Sequence, residues 1–136
     1  MDFVKSLMIA ALVLKVQNGR MRVIPENIAN VDSVGRTPDE DPYRRKIATF
    51  KSKFDRELDA ETVQLGRIQE GTSDFKVRYE SGNPAADENG NVQLPNVDTL
   101  IETVDMREAQ RSYEVNLKVI KSTRRMLQRN IEILSA

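Results

Sequence analysis

The segment Met106-Arg-Glu-Ala-Gln110-Arg-Ser-Tyr113-Glu-Val-Asn116-Leu117-Lys-Val-Ile120-Lys-Ser-Thr-Arg124-Arg-Met-Leu127-Gln-Arg-Asn-Ile131-Glu-Ile-Leu134 decides the fold class of this chain. Met106, Gln110, Tyr113, Leu117, Ile120, Arg124, Leu127, Ile131 and Leu134 recur at alternating spacings of four and three residues. That period lays a narrow stripe along one helix and calls for a partner helix, as in a coiled-coil seam. From Asn96 to Ala136 there is neither Gly nor Pro. A helix of roughly 35 residues would run about 50 Å at 1.5 Å per residue, too long for a compact domain of this size to bury. Asp98 or Asn96 caps its start, and Glu102 suits the positive end of the helix dipole. Arg124, Arg125 and Arg129 suit the negative end.

The other end of the chain repeats the pattern. Val4, Leu7, Ala11, Leu14, Asn18, Met21 and Ile28 follow the same spacing. Pro25 interrupts it, because its ring disfavours helical geometry at Ile24, and Glu26–Ser33 either resumes as a short helical turn or ends one. Asn27, Asn30 and Asp32 carry short polar side chains suited to bonding nearby backbone. Between the two ends the sequence turns to strands and loops. Val34–Pro42 is a loop punctuated by Gly35, Pro38 and Pro42. Tyr43–Phe50 reads as a strand, Val63–Ile68 as another with a bulge at Gly66, and Phe75–Tyr79 as a half-buried third. Lys51–Ala60 fits a helical turn through Phe54 and Leu58 or a loop, Ser81–Pro84 and Asp87–Gly90 are turns, and Val92 and Leu94 form a brief extended piece. The expected fold is mainly α with a small β insertion. Long N- and C-terminal helices (1–33 and 96–136) pack as a coiled coil around a short strand- and turn-rich central region (34–95).

Composition narrows the function. The chain has 136 residues, of which 39% are hydrophobic and 5% aromatic, with no Trp. That is lean for a self-contained core, so the stripes need neighbours to cover them. Lys+Arg and Asp+Glu balance at 21 each, giving no net field toward nucleic acid or anionic lipid. Cys and His are absent, which removes disulfides, thiolate nucleophiles, zinc–sulfur sites and the commonest general base. The apolar run Leu7–Leu14 is short of the about 20 residues a membrane span needs. Asp2 before it, and Lys15, Gln17, Asn18 and Arg20 after it, favour a retained amphipathic helix over a cleaved signal peptide.

The remaining motifs read as structural. Asp87-Glu-Asn-Gly-Asn91 starts like a calcium loop, but Gly90 falls in the fourth place and the twelfth holds Asp98, so an Asn-Gly turn is the better reading. Asp39-Glu-Asp41 is a solvated acidic loop without a partner carboxylate pair or activated nucleophile. Arg44-Arg-Lys46 and the Lys118–Arg129 series lack interleaved aromatics for nucleic acid and read as solvated or intersubunit salt-bridging faces. No cofactor, metal or catalytic residue is expected. Asn18, Gln110 and Arg124 fall on the seams themselves, where polar residues fix register at a cost in stability.

Asn27-Ile-Ala-Asn30 before Val31-Asp-Ser33 is similar to the Asn-x-Ala-Asn signature of the flagellar rod and hook axial protein family. Gly82-Asn-Pro-Ala-Ala-Asp87, Asn89-Gly90 and Leu94-Pro-Asn-Val-Asp98 resemble the segment leading into that family's C-terminal helix. Glu102, Met106, Ala109, Arg111-Ser-Tyr113 and Asn116 continue it, and only the centre around Lys51–Thr72 falls outside the match. Pro25, Ala85 and Asn91 depart from the family pattern. The resemblance implies a structural subunit rather than an enzyme, exported through the flagellar type III apparatus without a cleaved signal. It implies polymerisation into the proximal, periplasmic rod of the basal body, which transmits torque and encloses the export channel, beside FlgB, FlgF, FlgG and FliE. Subunit contacts are expected at Asn27, Asn30, Asn96, Asp98, Arg111, Tyr113 and Asn116, and along the stripes at Leu7, Leu14, Met21, Leu117, Ile120, Leu127 and Ile131. The helical ends are expected to be largely disordered in the monomer and to order on assembly. The alternative is a cytoplasmic coiled-coil adaptor or export chaperone that binds a single partner helix.

Overall fold

The computed structural model describes residues 2–136. Two long helices and two antiparallel two-stranded sheets follow in the order α1 (Phe3–Ala29), β1 (Lys46–Asp55), β2 (Ala60–Glu70), β3 (Lys76–Tyr79), β4 (Asn91–Leu94) and α2 (Thr99–Ser135). The helices hold 27 and 37 residues and the strands 10, 11, 4 and 4, so β structure is too large a share for the mainly α coiled coil expected. A helical hairpin carrying two small sheets is the correct description.

Asp2 caps α1 by accepting from the Val4 N–H at 3.1 Å. The helix continues through Pro25 to Ala29, against the interruption expected there. Proline removes one backbone bond and costs about 3 kcal/mol in a helix interior. Here the ring faces solvent, while Val23, Ile24 and Asn27 are buried on the opposite side and hold the backbone helical. Asp98 caps α2, accepting from the Leu100 N–H at 3.0 Å. Of the two caps the sequence offers, Asp98 takes the role and Asn96 is used elsewhere.

The helices run antiparallel: Asn27 near the end of α1 meets Glu102 near the start of α2, and Arg20, further back, meets Glu108, further on. On α2 the covered positions include Glu102, Met106, Ala109, Tyr113, Asn116, Ile120, Thr123 and Leu127, with the expected Leu117 half-buried beside Asn116. Their spacing alternates four and three as expected, but every second position lies one residue before the expected one. Gln110 and Arg124 are exposed, as is Asn18 on α1, so none of the three guards the register of this pair. Ala109 has no exposed surface, and small or compact residues at 109, 116 and 123 let the helices approach closely. The two polar ones satisfy themselves on their own helix. Asn116 Nδ2 donates to the Ser112 carbonyl and Thr123 Oγ1 to that of Val119, both at 2.8 Å. On α1, Leu7, Leu14, Met21 and Ile28 are half-buried, whereas Val4 and Ala11 face out.

Lys51–Ala60, read as a turn of helix or a loop, completes a long β1–β2 hairpin that packs on α1. Its tip is built by Asp55, which accepts from the Glu57 and Leu58 N–H groups at 2.9 and 3.2 Å, with Asp59 in the left-handed region at φ 47°. No glycine marks this turn, so composition hid it. The bulge expected at Gly66 is present: Ala48 pairs with Ile68 and Phe50 with Leu65, leaving Gly66 and Arg67 opposite Thr49. In the second sheet Lys76–Tyr79 pairs with Asn91–Leu94 through a turn that Gly90 closes at φ +82°.

Candidate functional site

Two features carry function: a polar junction inside the subunit and apolar surface that the subunit leaves uncovered. The junction forms where α1 ends, α2 begins and β1 starts. Asn27, 1% exposed, acts as a surrogate strand for Lys46: its Nδ2 donates to the Lys46 carbonyl at 2.8 Å and its Oδ1 accepts from the Lys46 N–H at 2.9 Å. The Tyr43 hydroxyl donates to the same Oδ1 at 2.7 Å. Asn96 treats the neighbouring residue similarly, its Oδ1 accepting from the Arg45 N–H at 2.7 Å while its Nδ2 donates to the carbonyls of Gly71 and Ser73 at 3.2 and 3.1 Å. Two buried asparagines from distant parts of the chain thus grip consecutive peptide groups where β1 begins.

The charges are arranged around that grip. Glu102 is 1% exposed, and its carboxylate accepts from Arg45 Nε, while Arg45 Nη2 reaches Asp105 at 3.3 Å. A buried carboxylate is tolerated only when so paired. Arg44 donates to the Gly71 carbonyl at 2.9 Å and lies 4.2 Å from the centroid of the Phe75 ring. Lys46 Nζ reaches Glu26 at 2.6 Å. All three residues of the Arg44-Arg-Lys46 run are therefore engaged within the chain, where the sequence suggested solvated or intersubunit pairing. Partial burial, with Glu26 and Glu102 nearby, pushes the Tyr43 hydroxyl up to about 12, so it remains a donor. Among the described residues no buried side-chain polar atom lacks a partner. The arrangement fixes the angle between helices and strands; it holds no open coordination site or free nucleophile.

Asn27, Asn96 and Asp98 were expected at helix junctions and subunit contacts; the structure buries the two asparagines together with Glu102 inside the subunit, and Asp98 caps α2. Asn30 ends α1, its Nδ2 donating to the Glu26 carbonyl and its Oδ1 accepting from Ser33 Oγ. Tyr113, Asn116, Leu117, Ile120 and Leu127 lie along the half-buried side of α2, whereas Arg111 and Ile131 are exposed. Missed were Tyr43, Arg45 and Asp105. Their only signal was a basic run preceding a strand, and an ion pair spanning more than fifty residues leaves no local pattern.

The second feature is uncovered apolar surface. Among the described residues eight Ala, Val and Ile side chains form the buried core, while nineteen large apolar ones are exposed, so the chain is far from a finished globule. Beyond Leu127 every residue of α2 is exposed, and Ile131, Ile133 and Leu134 stand 63%, 73% and 86% exposed. Up the outer side of α2, Val104, Val115, Val119 and Met126 form a second stripe. The β1–β2 hairpin adds Phe50, Phe54 and Ile68.

Residues 88–133, which span the second turn and most of α2, match the family described as flagellar basal body rod FlgEFG protein C-terminal. The flagellar basal-body rod protein FlgC of Agrobacterium fabrum is 49% identical over 128 residues, covering 94% of this chain and 92% of its own. FlgC of Salmonella typhimurium is 36% identical over 92% of each chain, and FlgC of Bacillus subtilis 36% identical over 94% of this chain and 95% of its own. With similarity running from the first helix to the last at nearly equal lengths, the chain belongs to the FlgC family of flagellar basal-body rod proteins, structural subunits of the rod.

Proposed function

We propose that this subunit builds the proximal, periplasmic part of the rod, transmitting torque and helping to enclose the export channel, and that it has no catalytic role. It reaches that position through the flagellar type III export apparatus. Its neighbours there are its own copies and the rod proteins FlgB, FlgF, FlgG and FliE. The observation that carries this reading is the unfinished helical hairpin: α2 outruns α1 and offers apolar residues that no described residue covers. Burying a Leu or Ile side chain is worth roughly 1.5–3 kcal/mol, so seating Ile131, Ile133 and Leu134 against neighbours offsets the entropy of ordering the helix end. Contacts that do not close into a ring then propagate as an open helical assembly. Leu7, Leu14, Met21, Leu117, Ile120 and Leu127 hold the hairpin partly covered until neighbours complete the burial, with Arg111 on the exposed side. In this reading 1–33 and 96–136 are the assembling segments, and 34–95 rides on them.

The test is complementation of a strain lacking the gene. Wild-type chain restores swimming and rods in isolated basal bodies. A chain carrying Ile131→Asp and Leu134→Asp accumulates normally and is exported, yet yields neither. Normal rods from that variant would show that the overhang is not an assembly contact.

A further inference from the structure

The turn that joins β3 to β4 carries an Asn-Gly pair, which is a chemically labile sequence as well as a turn signal. Asn18 and Asn89 alone precede glycine; every other asparagine precedes Ile, Val, Leu or Pro. An asparagine loses its side-chain amide when the backbone nitrogen of the next residue attacks its Cγ. A Cβ on that next residue hinders the approach, and a proline has no N–H to give, so glycine leaves the path open. Both asparagines are exposed, so access of water does not separate the two sites. The backbone does. Gly19 lies inside α1, where its nitrogen belongs to the helix ladder and Leu65 covers it: a Cβ added there would stand 2.7 Å from Leu65 Cδ2. Closing a ring at Asn18 therefore means unwinding the centre of the helix and lifting β2 away from it. At Asn89 the attacking nitrogen is tied only by the turn itself, through the bond from the Gly90 N–H to the Asp87 carbonyl at 3.0 Å. The strands on either side hold four residues each and β3 is exposed throughout, so this turn opens without disturbing a helix.

We propose that Asn89–Gly90 is a self-modifying site, at which the folded subunit converts Asn89 to aspartate and isoaspartate without an enzyme. When the turn opens, the Gly90 nitrogen bonds to Asn89 Cγ and gives up its proton. The Cγ–Nδ2 bond breaks, and Nδ2 leaves as ammonia with that proton. Water then opens the five-membered imide at either carbonyl. Attack at Cγ gives aspartate, and attack at the main-chain carbonyl gives isoaspartate, in which the chain runs through Cβ and Cγ. The isoaspartate route lengthens the main chain by one carbon between Asp87 and Asn91. Those two residues set the turn: the Asp87 N–H donates to the Asn91 carbonyl, and Asp87 Oδ1 accepts from the Asn89 and Asn91 N–H groups, all at 2.9 Å. Either product also places a new carboxylate beside Asp87 and Glu88, where like charges repel. The turn therefore slackens as the subunit ages, while the same dipeptide in α1 persists.

The experiment is incubation of the purified full-length chain in warm, mildly alkaline buffer, with samples digested by trypsin and sequenced by mass spectrometry. The peptides Val16–Arg20 and Tyr79–Arg107 report the two sites separately, and fragmentation assigns the amide-to-carboxyl mass gain to its residue. In the folded chain Asn89 converts roughly tenfold or more faster than Asn18, because a short exposed hairpin opens at a far lower free energy than the centre of a packed helix. In urea the two sites convert at similar rates. Asn89→Gln keeps the turn, since the Asn89 side chain makes no hydrogen bond among the described residues, and its longer chain closes the ring poorly. Amide exchange in β3 and β4 therefore quickens in aged wild-type chain and not in aged Asn89→Gln. Equal rates at the two sites in the folded chain overturn the proposal. So does a difference that persists in urea, since it would come from local sequence rather than from the fold. Conversion that leaves exchange in β3 and β4 unchanged overturns the slackening of the turn. None of these outcomes depends on rod assembly, so the complementation above reads independently.

Discussion

Replacing Asn27 by Ala isolates the contribution of the junction. The amide makes hydrogen bonds of 2.7–2.9 Å with the Tyr43 hydroxyl, the Lys46 N–H and the Lys46 carbonyl. Alanine leaves all three without that partner, in a part-buried setting where water replaces them poorly. Each such loss costs about 1–3 kcal/mol, and taking the low end for part-burial gives about 3 kcal/mol in total. That corresponds to a folding equilibrium roughly 150-fold less favourable. For a chain of this size the thermal midpoint falls by roughly 10 °C. Urea denaturation of the purified chain, followed by its helical circular dichroism, measures the change directly. Asn30→Ala is the control, since Asn30 bonds only the nearby Glu26 carbonyl and Ser33 hydroxyl, and its loss costs about 1 kcal/mol. If Asn27→Ala destabilises by no more than Asn30→Ala, the surrogate-strand role is wrong.

Three further outcomes follow from the geometry. Ala109→Leu forces a larger side chain into a fully buried seam position and costs about 1–3 kcal/mol, whereas Gln110→Leu on the exposed side changes the urea midpoint little; equal effects would return the seam to the register expected from sequence. Because the folded protein holds the Tyr43 proton above the ordinary value of 10.0, the unfolded chain ionises first. Stability is therefore full below pH 10 and falls as pH rises toward about 12. Tyr43→Phe should shallow that alkaline decline in a pH series of melts, and an unchanged slope would assign it elsewhere. Gly90→Ala places a Cβ at a left-handed φ of +82° and 2.6 Å from Tyr79 Cε2, so it destabilises by about 2 kcal/mol and speeds amide exchange in β3 and β4; a neutral effect would mean the turn relaxes freely.

How far the fold was legible differs from element to element. The C-terminal helix announces itself through period and the absence of breakers, the N-terminal one through period alone. The strands at Val63–Ile68 and Lys76–Tyr79, and the bulge at Gly66, show through alternation and a lone glycine. Lys76–Tyr79 is exposed throughout rather than half-buried, because no helix or other sheet among the described residues packs on that short strand. The hairpin tip at Asp55–Asp59 did not, because an aspartate side chain and one left-handed residue replace the usual Asn-Gly signal. The helix through Pro25 also escaped local reading. A proline's penalty is local, whereas the burial of Val23, Ile24 and Asn27 that overrides it comes from the rest of the fold.

The seam shows the same division. Met106, Tyr113, Ile120 and Leu127 are large, and their spacing alone marks an assembling helix. Whether Ala109 and Thr123 or Gln110 and Arg124 lie between them is decided by which side α1 approaches, and small residues win because they permit close packing. By itself the sequence determined two amphipathic helical ends, a strand-rich centre and membership of an axial protein family. Only the tertiary structure decided that Asn96 and Asn27 clamp the adjacent residues Arg45 and Lys46 where β1 begins, and that Arg45 neutralises a buried Glu102. Those pairings join residues distant along the chain, and chain distance carries no information about which polar groups must satisfy one another once water is excluded.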